Sequence, residues 1–379
     1  MTEIAYANQE QMFAVLETTA GQLKKPAASN RMYSVGPVDF GQEGEFLEDE
    51  QIRETASQLP SILGRTMPGE FSFDTYVKPN GTPGQKPEHA ALFEALMGAE
   101  TEYGNRVEYT LALEVPSLSV WVKKGHTAYA FRGATIEGAG FGIAGDAISL
   151  ISWSGKYMRQ IQAGTAYTTK VTGTVLTMEP GGALRYNEGA FIKVGSDNNG
   201  GAGFKILNIQ PTINKMTLNG SPSVAGVRLV TPWWPSVGTE YGKPGHGKLG
   251  IVRVGGTQCI VLSANVNMVN NIKYYIDEKN DVMTAERYGR PTKREIDGTL
   301  ALYFTKAGAS YAYKAEYQVN DELIIPVGKK DGYIMELQIP KAEYRTPKLS
   351  GDEEFQEDIP FKAVASSGNL DSELKIVFK

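Results

Sequence analysis

The chain has 379 residues, a formal net charge of −5 and 21% charged residues, which fits an ordinary folded protein with a real core. It contains no run rich in lysine or arginine, so it lacks the basic face that a DNA-binding protein uses to displace phosphate counterions. This charge is nevertheless compatible with a conduit through which DNA slides without sticking.

The N-terminus has neither the basic stretch nor the apolar segment of a signal peptide, and no apolar run approaches the ~20 residues of a membrane helix. We therefore expect a soluble protein made in the cytoplasm. The single cysteine, Cys259, cannot form an internal disulfide, and its apolar neighbours predict a buried, inert thiol.

Residues 1–68 are predicted to be an N-terminal arm with a short helix. Apolar residues spaced over residues 4–23 favour the helix, which Lys24-Lys25-Pro26 ends. The rest of the arm carries few periodic signals and includes a strongly acidic stretch. That stretch is either a solvated loop or an extended arm that orders only against a neighbouring subunit.

Residues 69–164 are predicted to be a first β-sandwich module. Phe71, Phe73, Thr75 and Val77 alternate with polar residues, which predicts a strand. A helix over residues 89–97 follows, with a proline before it and a glycine after it. Further strands extend to the end of the module.

The glycine-rich run from Gly138 to Gly145 is predicted to be a loop between strands of this module. It includes a literal match to the dinucleotide-binding fingerprint, Gly140-Phe141-Gly142-Ile143-Ala144-Gly145. We reject that function because the following residues predict a strand, whereas the fingerprint must open a helix.

Residues 165–247 are predicted to be a small inserted β-barrel, because short strands alternate there with tight turns. The end of this region, residues 231–235 followed by residues 242–247, is predicted to be a linker. Residues 248–379 are predicted to be a second β-sandwich module, with a second helix over residues 309–318. We predict that the two modules are related through an alignment of three segment pairs: residues 118–122 with 272–276, 131–137 with 288–294, and 145–150 with 297–302.

No arrangement of residues predicts catalysis. The chain lacks a Gly-x-Ser-x-Gly elbow, and no flanking pattern would orient the imidazole of His89, His126 or His246, for which we predict solvent-facing or capping roles. The acidic stretches lack the spacing of a calcium loop. We therefore expect no catalytic residue, cofactor or metal, and no enzyme activity.

Two parts of the sequence resemble the major tail tube proteins of long-tailed, siphovirus-type bacteriophages. The first comprises Leu59-Pro60-Ser61-Ile62-Leu63-Gly64-Arg65, then residues 69–73 and the helix that ends at Gly98. The second comprises residues 335–344, an acidic loop, residues 359–365 and a closing apolar strand. The resemblance covers residues 59–161 and 263–379 and leaves the insertion unexplained.

The resemblance implies a mainly β fold of β-sandwich tail-tube modules with short flanking helices. Such modules join edge to edge into rings, which stack into a hollow tube for DNA ejection. The implied partners are further copies of the chain, the tape-measure protein, the tail terminator and distal tail or baseplate proteins. DNA would pass only as transient cargo, and no membrane is involved. A ring would contain three two-module chains or six chains, in the tail of a virion assembled in the bacterial host cytoplasm.

The sequence also yields candidate assembly contacts, all of them charged residues of the acidic arm, two hairpins and a C-terminal loop. Each of these segments could equally be a plain solvated loop. They are Glu43, Glu45, Glu48, Asp49, Glu50, Arg53, Arg65, Lys123, Lys124, Asp277, Glu278, Asp281, Asp352, Glu353 and Glu354.

The alternative function is a carbohydrate- or receptor-binding β protein, such as an adhesin or baseplate component. An exposed Trp233-Trp234 pair and the many tyrosines would provide its stacking platform. The absence of a secretion signal argues against an adhesin.

Overall fold

The structure is a computed structural model, and it describes residues 10–48, 61–145, 147–236, 244–245, 250–276, 285–304, 310–350, 355–366, 368 and 370–379. Within these residues the secondary structure is 29 strands and two α-helices besides short 3-10 turns, which confirms the predicted mainly β fold. The helices are α1 (Ala90–Met97) and α2 (Ser310–Glu316).

The strands fall into three groups along the chain. Those before residue 164 are β1 (Gln11–Leu16), β2 (Arg31–Met32), β3 (Asp39–Gly41), β4 (Gly44–Leu47), β5 (Ile62–Thr66), β6 (Gly69–Tyr76), β7 (Gly98–Tyr103), β8 (Arg106–Leu111), β9 (Leu118–Lys124), β10 (Thr127–Ala144), β11 (Leu150–Tyr157) and β12 (Arg159–Ala163). Those of the middle segment are β13 (Ala166–Thr172), β14 (Val175–Met178), β15 (Phe191–Val194), β16 (Phe204–Gln210), β17 (Lys215–Leu218) and β18 (Leu229–Pro232). Those after it are β19 (Arg253–Val254), β20 (Thr257–Gln258), β21 (Val261–Val269), β22 (Ile272–Ile276), β23 (Ala285–Pro291), β24 (Glu295–Tyr303), β25 (Asn320–Val327), β26 (Met335–Tyr344), β27 (Lys348–Ser350), β28 (Gln356–Ala363) and β29 (Lys375–Phe378).

One large antiparallel sheet, which we call the front sheet, combines strands from both ends of the chain. Its strand order is β3-β6-β11-β10-β21-β24-β28-β27. Two back sheets have the orders β2-β1-β9-β10-β12 and β20-β19-β25-β26-β29-β8-β7. The long strand β10 belongs to both layers because it bends near Gly133, whose φ of 60° is left-handed.

A single hydrophobic core lies between these sheets. Phe71 and Phe73 of β6 are buried, whereas Ser72 between them is exposed, as alternation along a strand requires. Helix α1 adds buried Leu92, Phe93 and Leu96 to the same core and ends at Gly98 in the left-handed conformation, as predicted. Burying each such side chain contributes about 1.5–3 kcal/mol.

The middle segment forms a closed six-stranded barrel with the order β13-β14-β17-β16-β15-β18. We call it the small barrel. Its core continues into the first back sheet, where Phe13, Trp121 and Ile161 pack against it. The small barrel is therefore packed against the larger body through a shared apolar cluster.

The predicted N-terminal helix is wrong for the residues that the structure describes. Residues 11–16 form β1, which pairs along its whole length with β9. Met12 and Ala14 face the main core, whereas Phe13 faces the core of the small barrel. Because both faces of β1 are buried, its apolar residues are nearly continuous and do not alternate.

The predicted loop from Gly138 to Gly145 is also wrong, since β10 continues to Ala144. Hydrogen bonds to β11 on one side and β21 on the other hold this glycine-rich part as a central strand. The next element is strand β11, so the rejected dinucleotide fingerprint lies within a sheet.

Two further expectations are corrected. All three segment alignments are wrong. Residues 118–122 and 131–137 lie in the central strands β9 and β10, whereas residues 272–276 and 288–291 lie in the two-stranded hairpin β22–β23, which among the described residues pairs with no other strand. Residues 145–150 lead into β11, whereas residues 297–302 lie within β24, which pairs with β28 as β6 pairs with β11. Cys259 is only half-buried. The domain boundaries stay predictions, although the two predicted modules share the front sheet and one core.

Candidate functional site

The outward side of the front sheet is a continuous surface of small and polar residues, which we call the front face. Its central row crosses six neighbouring strands, and each residue lies opposite the next. In order from β6 to β28, the row is Asp74, Ser152, Gly140, Asn267, Asp297 and Lys362.

A second row runs parallel to the first, two residues along each strand. From β3 to β24 it is Asp39, Ser72, Ser154, Gly138, Val269 and Glu295. The opposite side of the same strands is buried, as Phe73, Trp153 and Met268 show. One side of the sheet therefore holds the core, while the other is free of large side chains over most of its width.

The glycines of β10 leave the centre of the front face without protruding side chains. A Cβ atom at Gly138 would lie 3.0 Å from the Met268 carbonyl oxygen and 3.1 Å from Ser154 Oγ. At Gly140 it would lie 3.1 Å from Asn267 Oδ1. An open depression of about 540 Å³ lies over these strands and is lined by members of both rows.

Carboxylates outnumber lysines on the front face. The carboxylates are Asp39, Glu70, Asp74, Glu295, Asp297 and Asp358, and the lysines are Lys156, Lys348 and Lys362. Lys156 Nζ lies 2.7 Å from Glu137 Oε2 and 4.0 Å from Glu70 Oε1. A hydrogen bond from Lys293, which lies 2.8 Å away, lowers the pKa of Glu295 and keeps it ionised. The face is therefore net acidic and repels polyanions.

The histidines with described positions do not serve the front face. His89 lies at the start of α1 and is 1% exposed, so its predicted solvent-facing or capping role is wrong: its side chain makes no capping hydrogen bond. Burial, and secondarily the charge of Lys78, lower the pKa of His89 to about 3. His126 is exposed in the turn between β9 and β10, and His246 lies outside the described residues. No three His, Cys, Asp or Glu side chains gather as a metal site within the described part of the chain.

The acidic arm contains a two-stranded hairpin, β4–β5, which we call the arm hairpin. Glu43, Glu45, Glu48 and Arg65, all predicted assembly contacts, lie on it or immediately beside it and are exposed. Its apolar residues are exposed as well: Phe46 by 65%, Leu47 by 52% and Ile62 by 68%. Leu47 lies directly opposite Ile62, and Phe46 lies on the other face of the hairpin, so both faces expose large apolar side chains, which is typical of a protein-interaction surface.

The predicted contacts Lys123 and Lys124 lie at the end of β9 and are half-buried. The Lys124 amine donates a hydrogen bond to the Val38 carbonyl and lies 3.6 Å from Glu10 Oε2. It also stands 4.6 Å from the centre of the Phe40 ring. Lys124 therefore holds the start of β3 within the chain. The other predicted contacts lie outside the described residues: Asp49, Glu50, Arg53, Asp277, Glu278, Asp281, Asp352, Glu353 and Glu354.

The expected exposed tryptophan pair is wrong. Trp233 is 6% exposed, and its indole stands 5.9 Å from that of Trp121 at a steep angle. Trp234 packs edge-on against Phe13 at 5.4 Å. The part of the predicted linker that contains Trp233 and Trp234 instead packs against the core of the small barrel and against Phe13 and Trp121 of the larger body. These two rings therefore provide no sugar-stacking platform.

Sequence reasoning missed the front face itself. Its signal was present, because Ser72/Asp74, Ser152/Ser154 and Asn265/Asn267 each alternate with apolar residues. What hid it was the glycine run in β10, which has the composition of a loop. Glycine is disfavoured in strands unless another group approaches the backbone closely. In β10 the approaching groups belong to the neighbouring strands β11 and β21, which the local sequence does not reveal.

A comparison with protein-family models and a comparison with curated proteins both find no match to this chain. Within the described residues, no helix is both long enough and apolar enough to span a bilayer.

Proposed function

We propose that this chain is the structural subunit of a bacteriophage tail tube, which self-assembles into rings that stack into a hollow conduit for DNA ejection. The observation that carries the proposal is the front face. A wide sheet surface of serine, glycine, asparagine and carboxylate side chains suits the wall of a DNA channel. It presents few cations to hold phosphates and few bulky groups to obstruct passage.

The edges and hairpins of the structure support assembly. A sheet with accessible edge strands risks uncontrolled pairing in a monomer, whereas a closed ring of subunits satisfies those edges. The exposed apolar residues of the arm hairpin would be covered by a neighbouring subunit or ring. The tape-measure protein, the tail terminator and distal tail or baseplate proteins are the further proposed partners, and the virion tail is the proposed location.

The test is to purify the whole chain, determine its mass in solution by light scattering and image it by negative-stain electron microscopy. We expect rings or hollow tubes, either spontaneously or after addition of tape-measure and baseplate partners. Three chains per ring would indicate that each chain supplies two modules, and six would indicate one. A chain that stays monomeric with all partners present would contradict the proposal, and binding on a glycan array would then favour the carbohydrate- or receptor-binding alternative.

A further inference from the structure

The strand pairings of the two ends of the chain correspond one to one. In the first half they are β1–β2, β1–β9, β9–β10, β10–β12, β10–β11, β11–β6 and β6–β3. In the second half they are β19–β20, β19–β25, β25–β26, β26–β29, β26/β27–β28, β28–β24 and β24–β21. Strand β6 of the first half and strand β24 of the second half correspond to each other. Along the chain, each of them comes after a two-stranded hairpin and before an α-helix. Strands β7 and β8 have no counterpart among the described residues of the second half.

The correspondence extends to single residues. Strands β11 and β28 are each eight residues long, and each begins opposite a tyrosine: Leu150 faces Tyr76, and Gln356 faces Tyr303. When these two pairs are aligned, Phe71 of β6 corresponds to Gly298 of β24, and Gly155 of β11 corresponds to Phe361 of β28. Phe71 lies opposite Gly155 in the first half, and Gly298 lies opposite Phe361 in the second. A large residue and a glycine have exchanged strands at the corresponding place, so each half contributes a similar side-chain volume to the shared core there.

The halves meet in the front sheet where β10 pairs with β21. Gly142 lies opposite Asn265, Phe141 opposite Val266 and Gly140 opposite Asn267. Under the correspondence, Gly140 and Gly142 match Lys348 and Ser350 of β27, because Ser152 and Leu150 match Asp358 and Gln356. Likewise Asn265 and Asn267 match Asp39 and Gly41 of β3.

Strands β27 and β3 are the two ends of the front sheet. Among the described residues β27 pairs only with β28, and β3 pairs only with β6. Leu349 occupies the inward-facing position of β27, yet it is 60% exposed. Its counterpart Phe141 is buried against Val266. Each end strand therefore lacks the neighbour that its counterpart has inside the chain.

We propose that β27 of one copy pairs antiparallel with β3 of the next copy, repeating the β10–β21 junction. Ser350 then lies opposite Asp39 of the partner subunit, and Lys348 lies opposite Gly41 of the partner subunit. Leu349 packs beside Phe40 of the partner subunit. Lys348 also gains a diagonal carboxylate in Asp39 of the partner subunit, within reach of a long side chain. The front face becomes continuous from copy to copy, an inference that rests on the proposed ring.

Disulfide crosslinking tests this register. In a Cys259→Ser background, Ser350→Cys with Asp39→Cys places two thiols on directly opposed residues, whose Cβ atoms stand roughly 4.5–5.5 Å apart. We expect a ladder of covalent multimers on a non-reducing gel that collapses on reduction. The matched control is Ser350→Cys with Ser72→Cys, which lies on the same face but one strand further away, and it should give no ladder.

The outcomes separate this inference from the proposed function. Rings or tubes that form without a ladder overturn the β27–β3 register alone. A ladder from copies that never form rings supports the register and counts against the tube. Copies that neither assemble nor crosslink overturn both. Leu349→Asp provides a second readout: we expect it to abolish association, whereas Leu370→Asp, at a side chain that is 83% exposed, should associate like the parent chain. Unchanged association of Leu349→Asp also overturns the register.

Discussion

At the scale of single residues, the core tolerates a buried polar group where its charge can be suppressed. His89 is fully buried, with Glu88 Oε1 3.5 Å from its Nε2 atom and Lys78 close to the same carboxylate. Neither ring nitrogen of His89 has a hydrogen-bond partner in the described structure. The neutral imidazole is therefore the form that the folded state accepts.

This burial predicts a pH dependence of stability. In the unfolded chain His89 has a pKa near its ordinary value of 6.5, whereas in the folded chain the pKa is about 3. Between these values the unfolded state binds the additional proton, so the free energy of unfolding decreases as the pH falls. The loss due to His89 should be on the order of 3 kcal/mol by pH 4.

His89→Gln should flatten the pH dependence between pH 6.5 and 4 in urea denaturation measured at several pH values. His126→Gln, the same replacement at an exposed histidine, should leave the slope unchanged. Equal slopes for the parent chain and His89→Gln would show that the buried imidazole does not contribute.

A glycine in β24 is predicted to be irreplaceable because of its neighbours. A Cβ atom at Gly298 would lie 2.2 Å from the Asn265 carbonyl oxygen and 2.5 Å from Phe361 Cζ. Gly298→Ala should therefore lower the free energy of unfolding by about 3 kcal/mol, because the added methyl group would overlap the Asn265 backbone, which its strand pairing holds in place. Gly142→Ala is the control, since its nearest contact would be an ordinary 3.7 Å, and its cost should stay within about 0.5 kcal/mol. Chemical denaturation measures both, and similar costs would refute the steric explanation.

At the scale of elements, the arm hairpin and the small barrel differ in how they meet the larger body. The small barrel shares an apolar cluster with β1 and β9, and Lys25 stands 3.9 Å from the centre of the Phe191 ring. The arm hairpin forms a sheet of its own and leaves its apolar side chains exposed. Among the described residues nothing covers these side chains, and under the proposed function a neighbouring chain would bury them.

Replacing Phe46 and Ile62 by aspartate should abolish assembly, because two charges would have to be desolvated at the contact. The thermal unfolding temperature of the single chain should barely change, since both side chains are already exposed. Leu184→Asp, at a side chain of the small barrel that is 70% exposed, is the control. Light scattering measures the assembly state of both variants. Normal tubes from the Phe46 and Ile62 variant would show that the arm hairpin is not part of the assembly interface.

At the scale of the whole molecule, the distribution of charge matters more than its sum. Asp74→Lys with Asp297→Lys raises the formal net charge from −5 to −1, because each replacement adds two positive charges. Both changes fall in the central row of the front face. If this face lines a channel, assembled tubes of the variant should retain DNA at low salt and release it as salt rises, whereas parent tubes should not retain it.

Glu316→Lys with Glu322→Lys produces the same net charge at exposed positions away from the front face. Tubes of this control should not retain DNA inside. Gel retardation with tubes filled during assembly distinguishes the two variants. Equal retention by both would attribute the effect to overall charge and argue against the front face as the channel wall.

The sequence alone determined the local structure wherever one physical signal dominated. Alternation marked β6, and a proline and a glycine bracketed α1, because these effects act within a few residues. The mainly β fold followed from many such segments. The formal net charge of −5 likewise argues against tight DNA binding, which stays a prediction.

Tertiary structure decided what depends on which strands become neighbours. Residues 11–16 have the apolar content of a helix, yet they form β1, because two cores cover both faces of the strand. Gly138 to Gly142 have the composition of a loop, yet they form the centre of the front sheet, because β11 and β21 supply their hydrogen bonds. The correspondence between the two halves is visible in the order in which their strands pair. Their side chains differ, whereas the backbone hydrogen bonds of both halves must be satisfied in the same way. Long-range pairing has no signature within a short stretch of sequence, and the front face is assembled entirely from such pairings.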